Sequence, residues 1–309
     1  MADKRASRKD QPLVSVIVPT YKRADMIQRA VDSILDQTYK NIEVIVVNDN
    51  DKDSPEYTST DELLEDELKD GRVCIVHTSG STGGGNARNY GVTFAKGEYL
   101  TFLDDDDIFL PAKVEKQLDF MRQHNYDMTY QDVSWYDAKT GKLVEHRKLD
   151  HVKDFSRKGL LRAHMITPIS PTAIYMMKTS LFRKTLGFGD VLVGQDWFLM
   201  LRCIEADANI GYMPGVYVHQ FLHSGEHLSL GNNKIIGENE LYNVRRSYFP
   251  ILSPKERRYV NFRHYAVLAS AYKRRHHWIE ALRYVFQAFT ASPISFLKEI
   301  PKYFGSAKK

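Results

Sequence analysis

Tyr99-Leu100-Thr101-Phe102-Leu103-Asp104-Asp105-Asp106-Asp107 joins an apolar run to four consecutive carboxylates. The run reads as a buried strand, so its end delivers the acids to one loop. Adjacent carboxylates repel by roughly 1 kcal/mol per pair at 4 Å in water and by about 4 near a protein surface. A fixed cluster of them calls for a cation. Hard oxygen ligands suit Mg2+ or Mn2+, which keep water and phosphate oxygens as their remaining ligands. The alternative is a solvated acidic turn.

Upstream of this run, strands and helices alternate. Val14 to Val18 forms an apolar strand that Pro19-Thr20-Tyr21 ends in a turn. Ile27, Ala30, Val31, Ile34 and Leu35 then repeat at helical spacing, with Thr20 or Asp25 able to cap the start. Ile42 to Val47 is a second strand, closed by Asn48-Asp49-Asn50-Asp51, and Asp61 to Asp70 holds a short helix pairing Leu64 with Leu68. Val73 to His77 is a third strand, and Ala87, Tyr90, Gly91, Phe94 and Ala95 mark another helical face before the strand that carries the aspartates. This β-α-β-α-β-α-β rhythm predicts an α/β fold with a mostly parallel sheet flanked by helices, its ligand crevice beyond the carboxyl ends of the strands. Asp49 and Asp104 to Asp107 are thereby placed on one edge, the first suited to a base or ribose and the others to a metal.

The turn Ser79-Gly80-Ser81-Thr82-Gly83-Gly84-Gly85 lacks the Lys-Ser/Thr ending of a phosphate loop and is not a GxGxxG after the first strand. It reads as a flexible helix entry or as a loop closing over a ligand. Asn86, Arg88 and Asn89 near a helix N-terminus favour anions, and Arg88 can instead pair with the acidic cluster.

Composition bounds the class. The 309 residues, 43% hydrophobic and 12% aromatic, suffice for one large domain or two modest ones. Cys74 and Cys203 stand alone without metal-ligand spacing, which suits a reducing, cytoplasmic compartment. No stretch has the ~18 apolar residues of a membrane span, and the charged first eleven residues read as a basic tail without a signal-peptide core. A net charge of +4 without an aromatic-interleaved basic face argues against nucleic acid as a partner.

The first half resembles the nucleotide-sugar-binding half of inverting family 2 glycosyltransferases with the GT-A fold. The resemblance runs through VSVIVPTYKR at 14–23, SILDQT at 33–38, EVIVVNDND at 43–51, NARNYGV at 86–92 and GEYLTFLDDDDIFLP at 97–111. It implies a nucleotide-sugar donor, expected to be a UDP-sugar, and a Mn2+ or Mg2+ cofactor. It implies that Pro19, Tyr21 and Asp49 line the uridine pocket, that Asp104 and Asp106 are the acids of the DxD motif, and that Asp105 lies near the ribose. Asp106 is the expected direct metal ligand. One departure is Asn48-Asp49-Asn50-Asp51, where many relatives have Asp-Asp-Gly-Ser.

The second half then supplies the acceptor site. Gly194-Gln195-Asp196-Trp197 resembles the family's Glu-Asp segment at a helix start, with Gln195 in place of Glu, and Asp196 matches the general base. From the residues alone Asp196 is equally a helix cap. His219, His223 and His227, with Glu226 nearby, invite a zinc reading that Ser224-Gly225 weakens by breaking a helix. By resemblance, His223 instead reaches the diphosphate. Tyr130, Trp135 and Trp197 are sugar-stacking or core aromatics.

The expected division is a tail over 1–11, a nucleotide-sugar-binding subdomain over 12–125, an acceptor-binding subdomain over 126–235 and a helical region over 236–309. In the last, Ser253-Pro254-Lys255-Glu256 is a capping box that opens a helix through about Tyr272. A second helix carries Trp278, Ala281, Leu282, Val285, Phe286 and Phe289, flanked by Arg274, Arg275, His276 and His277 before it and by Lys298, Lys302, Lys308 and Lys309 after it. These basic helices form either a hairpin packed on the catalytic domain or a peripheral membrane contact at the inner face of the cell membrane. The partners expected are a nucleotide sugar and a saccharide or lipid-linked oligosaccharide acceptor, and self-association into a homo-oligomer stays open. The competing classes are a sugar-nucleotide nucleotidyltransferase, which wants glycines where Pro19-Thr20-Tyr21-Lys22-Arg23 stands, and a non-catalytic nucleotide-sugar-binding protein.

Overall fold

A computed structural model describes residues 11–223 and 232–304. Residues 1–10 of the expected tail, the loop residues Ser224, Gly225, Glu226 and His227, and Lys308 and Lys309 lie outside the described residues. Two compact units divide what is described. One falls within Met1–Lys153, Ile169–Asp190 and Asp196–Ser224, the other within Asp154–Pro168, Val191–Gln195 and Gly225–Lys309.

The first unit is built on one sheet. Strands β1 (Val14–Thr20), β2 (Ile42–Asn48), β3 (Val73–His77) and β4 (Tyr99–Phe102) pair in parallel in the order β3-β2-β1-β4. Their apolar runs are buried nearly throughout in β1, β2 and β4, as strands covered on both faces require. Pro19 has no N–H to donate, yet it sits in the central strand β1. It is tolerated because the ladder to β4 ends at Ile17↔Phe102, two residues earlier. The sheet continues through β8 (Met176–Lys178), β6 (Met128–Asp137), β9 (Ile210–Leu222) and β5 (Ile108–Phe109), with β7 (Leu143–Arg147) paired to β6. The pairings of β4 with β8, β6 with β8 and β5 with β9 are antiparallel, while β6 and β9 run parallel. Parallel ladders carry most of the paired residues, so the expected α/β architecture holds. The sheet also runs unbroken across residue 126.

Helix α1 (Ala24–Leu35) buries Ile27, Ala30, Val31 and Ile34 on one face, as its spacing requires. Its N-cap position is Arg23 with no side-chain cap, so neither Thr20 nor Asp25 plays the expected role. Helix α2 lies at Pro55–Leu63, where Ser54-Pro55 places Pro at the first turn, and the segment 61–70 expected to hold a short helix has a 3-10 turn over Glu67–Lys69. The pairing of Leu64 with Leu68 fails with it, since Leu64 is fully buried and Leu68 is exposed. Helix α3 (Gly84–Phe94) packs through Ala87, Gly91 and Val92, whereas Tyr90 and Phe94 are exposed and meet edge to face at 5.1 Å. A β-carbon on Gly91 would lie 2.7 Å from Ile17 Cγ2 and 2.6 Å from Val47 Cγ2, so only glycine lets α3 lie this close to β1 and β2. Helices α4 (Lys113–His124), α6 (Thr179–Lys184) and α7 (Gln195–Glu205) complete the layers.

The second unit holds α5 (Arg157–Ile166), α8 (Asn232–Ser247), α9 (Pro254–Arg274), α10 (Trp278–Ala291) and α11 (Pro293–Phe304). The capping box forms as expected, with Gly159 N also capped by Ser156 at the start of α5. The apolar face expected on α10 is split. Ala281 is buried, while Trp278, Leu282, Phe286 and Phe289 are exposed, because α9 receives the small side chains.

Candidate active site

The loops after β1, β2 and β3 are tied into one surface. Asp49, at the end of β2, accepts hydrogen bonds from Thr78 Oγ1 at 2.5 Å, Thr82 Oγ1 at 2.7 Å, and the amides of Thr82 and Gly83, each at 3.0 Å. Three of these donors converge on Oδ1 and one reaches Oδ2, so both oxygens hold the turn. The Gly-rich turn is therefore pinned to Asp49, and the anion held at the start of α3 is the chain's own carboxylate. Gly80 and Gly83 have φ of +93° and +88°, which the turn requires. Ser81 Oγ donates to Tyr21 at 2.8 Å and lies 3.1 Å from Asp51, and Lys22 N donates to Asn50 Oδ1 at 2.7 Å. The Asn48-Asp49-Asn50-Asp51 variation also has a local reason. Asn48 Nδ2 donates to Tyr57 O, while its Oδ1 accepts from Asn50 Nδ2 at 2.9 Å, a combination that an ionised aspartate cannot supply.

Beyond β4 the four aspartates take separate partners. Asp104 pairs with Arg88, which is itself buried and lies over the Phe188 ring. Asp105 is fully buried and meets Arg23 at 3.0 Å. Asp106 also pairs with Arg23, its carbonyl accepts from Arg29 at 2.5 Å, and its carboxylate lies 3.4 Å from His223 Nε2. Asp107 accepts from Gln220 Nε2 at 2.7 Å and from Phe221 N at 3.0 Å, which anchors it to β9. Burial raises the carboxyl of Asp105 to about 7 against the pull of Arg23. It raises Asp106 too and lifts Asp107 well above the usual range.

Asp104, Asp106 and Asp107 each present a carboxylate oxygen, all within 4.8 Å of one another. All three ligand atoms are hard oxygens, and carboxylates crowded together, two of them raised by burial, are what a divalent cation relieves, so these residues fit Mg2+ or Mn2+. The expected pair Asp104 and Asp106 is brought together, and Asp107 joins it. Asp105 is placed otherwise than expected. Its side chain has no solvent exposure and turns to Arg23, which leaves no accessible oxygen for a ribose.

Asp196 occupies the second position of α7, inside the first turn, so it is not the helix cap. Burial raises its carboxyl, while the Trp197 amide and the Arg88 charge pull it down. Arg88 and Asp104 thus share a field with Asp196. Pro19 is half-buried at the end of β1 and Tyr21 is half-buried next to it, beside the Asp49 loop. Tyr130 and Trp197 are core residues, and Trp135 is half-buried and donates to Gln220 at 3.0 Å. His219 lies on strand β9 against the Tyr136 ring rather than on a helix, and burial lowers its imidazole.

Arg23, Arg29 and Gln220 escaped the sequence reading. Arg23 stands one residue beyond the Pro19-Thr20-Tyr21-Lys22 turn and was legible as an edge residue. Gln220 becomes visible only once β9 pairs with β5 and β6.

In sequence, residues 15–185 match the family described as Glycosyl transferase family 2. An uncharacterized glycosyltransferase of Rickettsia bellii is 32% identical over 241 residues, covering 77% of this chain and 33% of that protein. The chain thus spans about a third of the length of that relative. The UDP-Glc:alpha-D-GlcNAc-diphosphoundecaprenol beta-1,3-glucosyltransferase WfaP of Escherichia coli is 36% identical over 120 residues, 38% of this chain and 45% of WfaP. Among solved structures, S. aureus TarS in complex with UDP-GlcNAc matches with a TM-score of 0.59 at 20% identity, covering 94% of this chain and 78% of TarS. The mannosyltransferase PcManGT from Pyrobaculum calidifontis, in complex with GDP-Man and Mn2+, matches with a TM-score of 0.62 at 17% identity, covering 96% and 82%. On the family match over residues 15–185, the chain belongs to glycosyl transferase family 2.

Proposed function

We propose that this protein is an inverting glycosyltransferase that moves a sugar from a UDP-sugar to a saccharide or lipid-linked acceptor. The observation that carries the reading is the convergence of Asp104, Asp106 and Asp107, beyond the end of β4, with Asp196 under the same electrostatic influence. The WfaP relative, whose name gives a UDP-Glc donor and a diphosphoundecaprenol-linked acceptor, supports UDP and a lipid-linked acceptor here. On this reading residues 12–125 bind the nucleotide sugar and residues 126–235 the acceptor. The site works in the cytoplasm, at the inner face of the membrane when the acceptor is lipid-linked.

Asp104, Asp106 and Asp107 would hold Mn2+ or Mg2+. An ion held there would supply positive charge that stabilises a diphosphate leaving group. Asp196 takes the proton from the acceptor hydroxyl as its oxygen bonds to the anomeric carbon. The bond from that carbon to the diphosphate oxygen breaks on the opposite side, which inverts the configuration. Burial makes the Asp196 carboxylate a stronger base than an exposed aspartate, which suits the role. Pro19 and Tyr21 flank the base, with Asp49 shaping the loop beside it, and Arg88 and His223 stand where anionic oxygens collect.

The test is UDP release from a panel of UDP-sugars in the presence of a synthetic lipid-diphosphate GlcNAc acceptor. Asp196→Asn is expected to lower turnover by about 10²- to 10⁴-fold while UDP binding stays intact. Full turnover in that variant removes Asp196 as the base.

A further inference from the structure

The second unit carries an apolar face turned the wrong way for a helical hairpin. Helix α10 meets α9 through its small side chains. Ala288 is fully buried with Phe262 and Ala266, Ala281 is 4% exposed, and Tyr284 stacks on Tyr272 at 5.4 Å between ring centres. The large side chains point the other way. Trp278, Ile279, Leu282, Phe286 and Phe289 are 43–83% exposed and fall within about 100° of arc on a helix of 3.6 residues per turn. An amphipathic helix of a water-soluble hairpin buries such residues and exposes its alanines. The next helix also exposes large apolar side chains, with Ile294 70% and Leu297 72% exposed on α11. Scattered apolar residues on a surface need no explanation, but five large ones on a single arc of one helix do.

The charge around this face selects its occupant. Arg283 on α10 and Lys298 on α11 are exposed, as is Arg274 at the end of α9, and residues 254–309 hold twelve Lys and Arg against three Glu. We infer that the exposed apolar face of α10 seats this protein on an anionic lipid surface, its aromatic and aliphatic side chains at the headgroup–acyl boundary and the surrounding cations among acidic headgroups. A second copy is the poorer occupant, because a two-fold pairing of this face would set the two basic margins against each other. The helices lie on the bilayer rather than cross it. The 14 residues of α10 span about 21 Å against about 30 Å of hydrocarbon, and no described helix is long and apolar enough to cross a membrane. The surface does not depend on the glycosyl-transfer reading, and its test needs no donor or acceptor.

The experiment is flotation of the full chain with vesicles of phosphatidylcholine alone and of phosphatidylcholine mixed with phosphatidylglycerol, at low and high salt. Binding to the anionic vesicles, weakened by salt, is expected, together with a blue shift of tryptophan emission from Trp278. The double variant Leu282→Ser/Phe286→Ser changes only exposed side chains and keeps the helical circular dichroism. It should lose anionic-vesicle affinity by about tenfold or more. Arg283→Glu should lower binding to anionic vesicles only. No binding by the wild type, or equal binding by the folded double variant, overturns the inference. So does light scattering that shows a dimer dissolved by the double variant in a protein that ignores vesicles.

Discussion

Asp49 accepts four hydrogen bonds from the loop over Thr78 to Gly83, so a residue expected to read a base also fixes the turn beside it. Asp49→Ala should therefore loosen the loop, with faster hydrogen exchange at the Thr82 and Gly83 amides and a stability loss of about 1–3 kcal/mol in urea unfolding. Unchanged exchange at both amides would contradict this. The aspartates beyond β4 give a second prediction. Burial raises the carboxyls of Asp106 and Asp107, so a divalent cation held by them competes with protons that an exposed carboxylate would already have lost. Mn2+ affinity should rise with pH through the raised range of these carboxyls, with protons released on binding. Titration in buffers of different ionisation enthalpy measures that release, and a flat pH profile would contradict it. At this scale, Asp104 and Asp106 were legible because they follow a strand directly. Asp107 was legible only as a member of the acidic run and Arg23 only as an edge residue; the pairing of Arg23 with Asp106 and of Asp107 with Gln220 was not, because those partners lie more than eighty residues away in sequence.

At the scale of elements, local periodicity served wherever an apolar stripe faced the sheet. The buried set of α1 follows its spacing, and β1 to β4 appear in order. It failed where one residue overrode the pattern. Pro55 starts α2 ahead of the segment 61–70, and the alanines of α10 rather than its large side chains took the packed face. Gly91 is the clearest single determinant of an interface between elements. Gly91→Val would drive a side chain into Ile17 and Val47, so α3 must shift off β1 and β2. A loss of about 1–3 kcal/mol is expected, read as a lower denaturation midpoint. A wild-type midpoint would mean that α3 does not pack as described.

The molecule as a whole was legible as far as β4. Its four parallel strands follow from alternation, but β8, β6, β9 and β5 join through non-local and partly antiparallel pairings that no periodicity announces. Those pairings bring Gln220 and His223 to the aspartates, and so build half of the site. The two cysteines report on the whole structure in a simple way. Cys74 is exposed, while Cys203 is buried with its thiol raised to about 12, so native protein should react with one equivalent of maleimide and unfolded protein with two. The most direct test of the account is calorimetric titration of UDP into wild type and Asp106→Ala, each with Mn2+ and with EDTA. The account predicts UDP binding that requires Mn2+ and is lost in Asp106→Ala. UDP binding that is equal in EDTA, or intact in the variant, would contradict it.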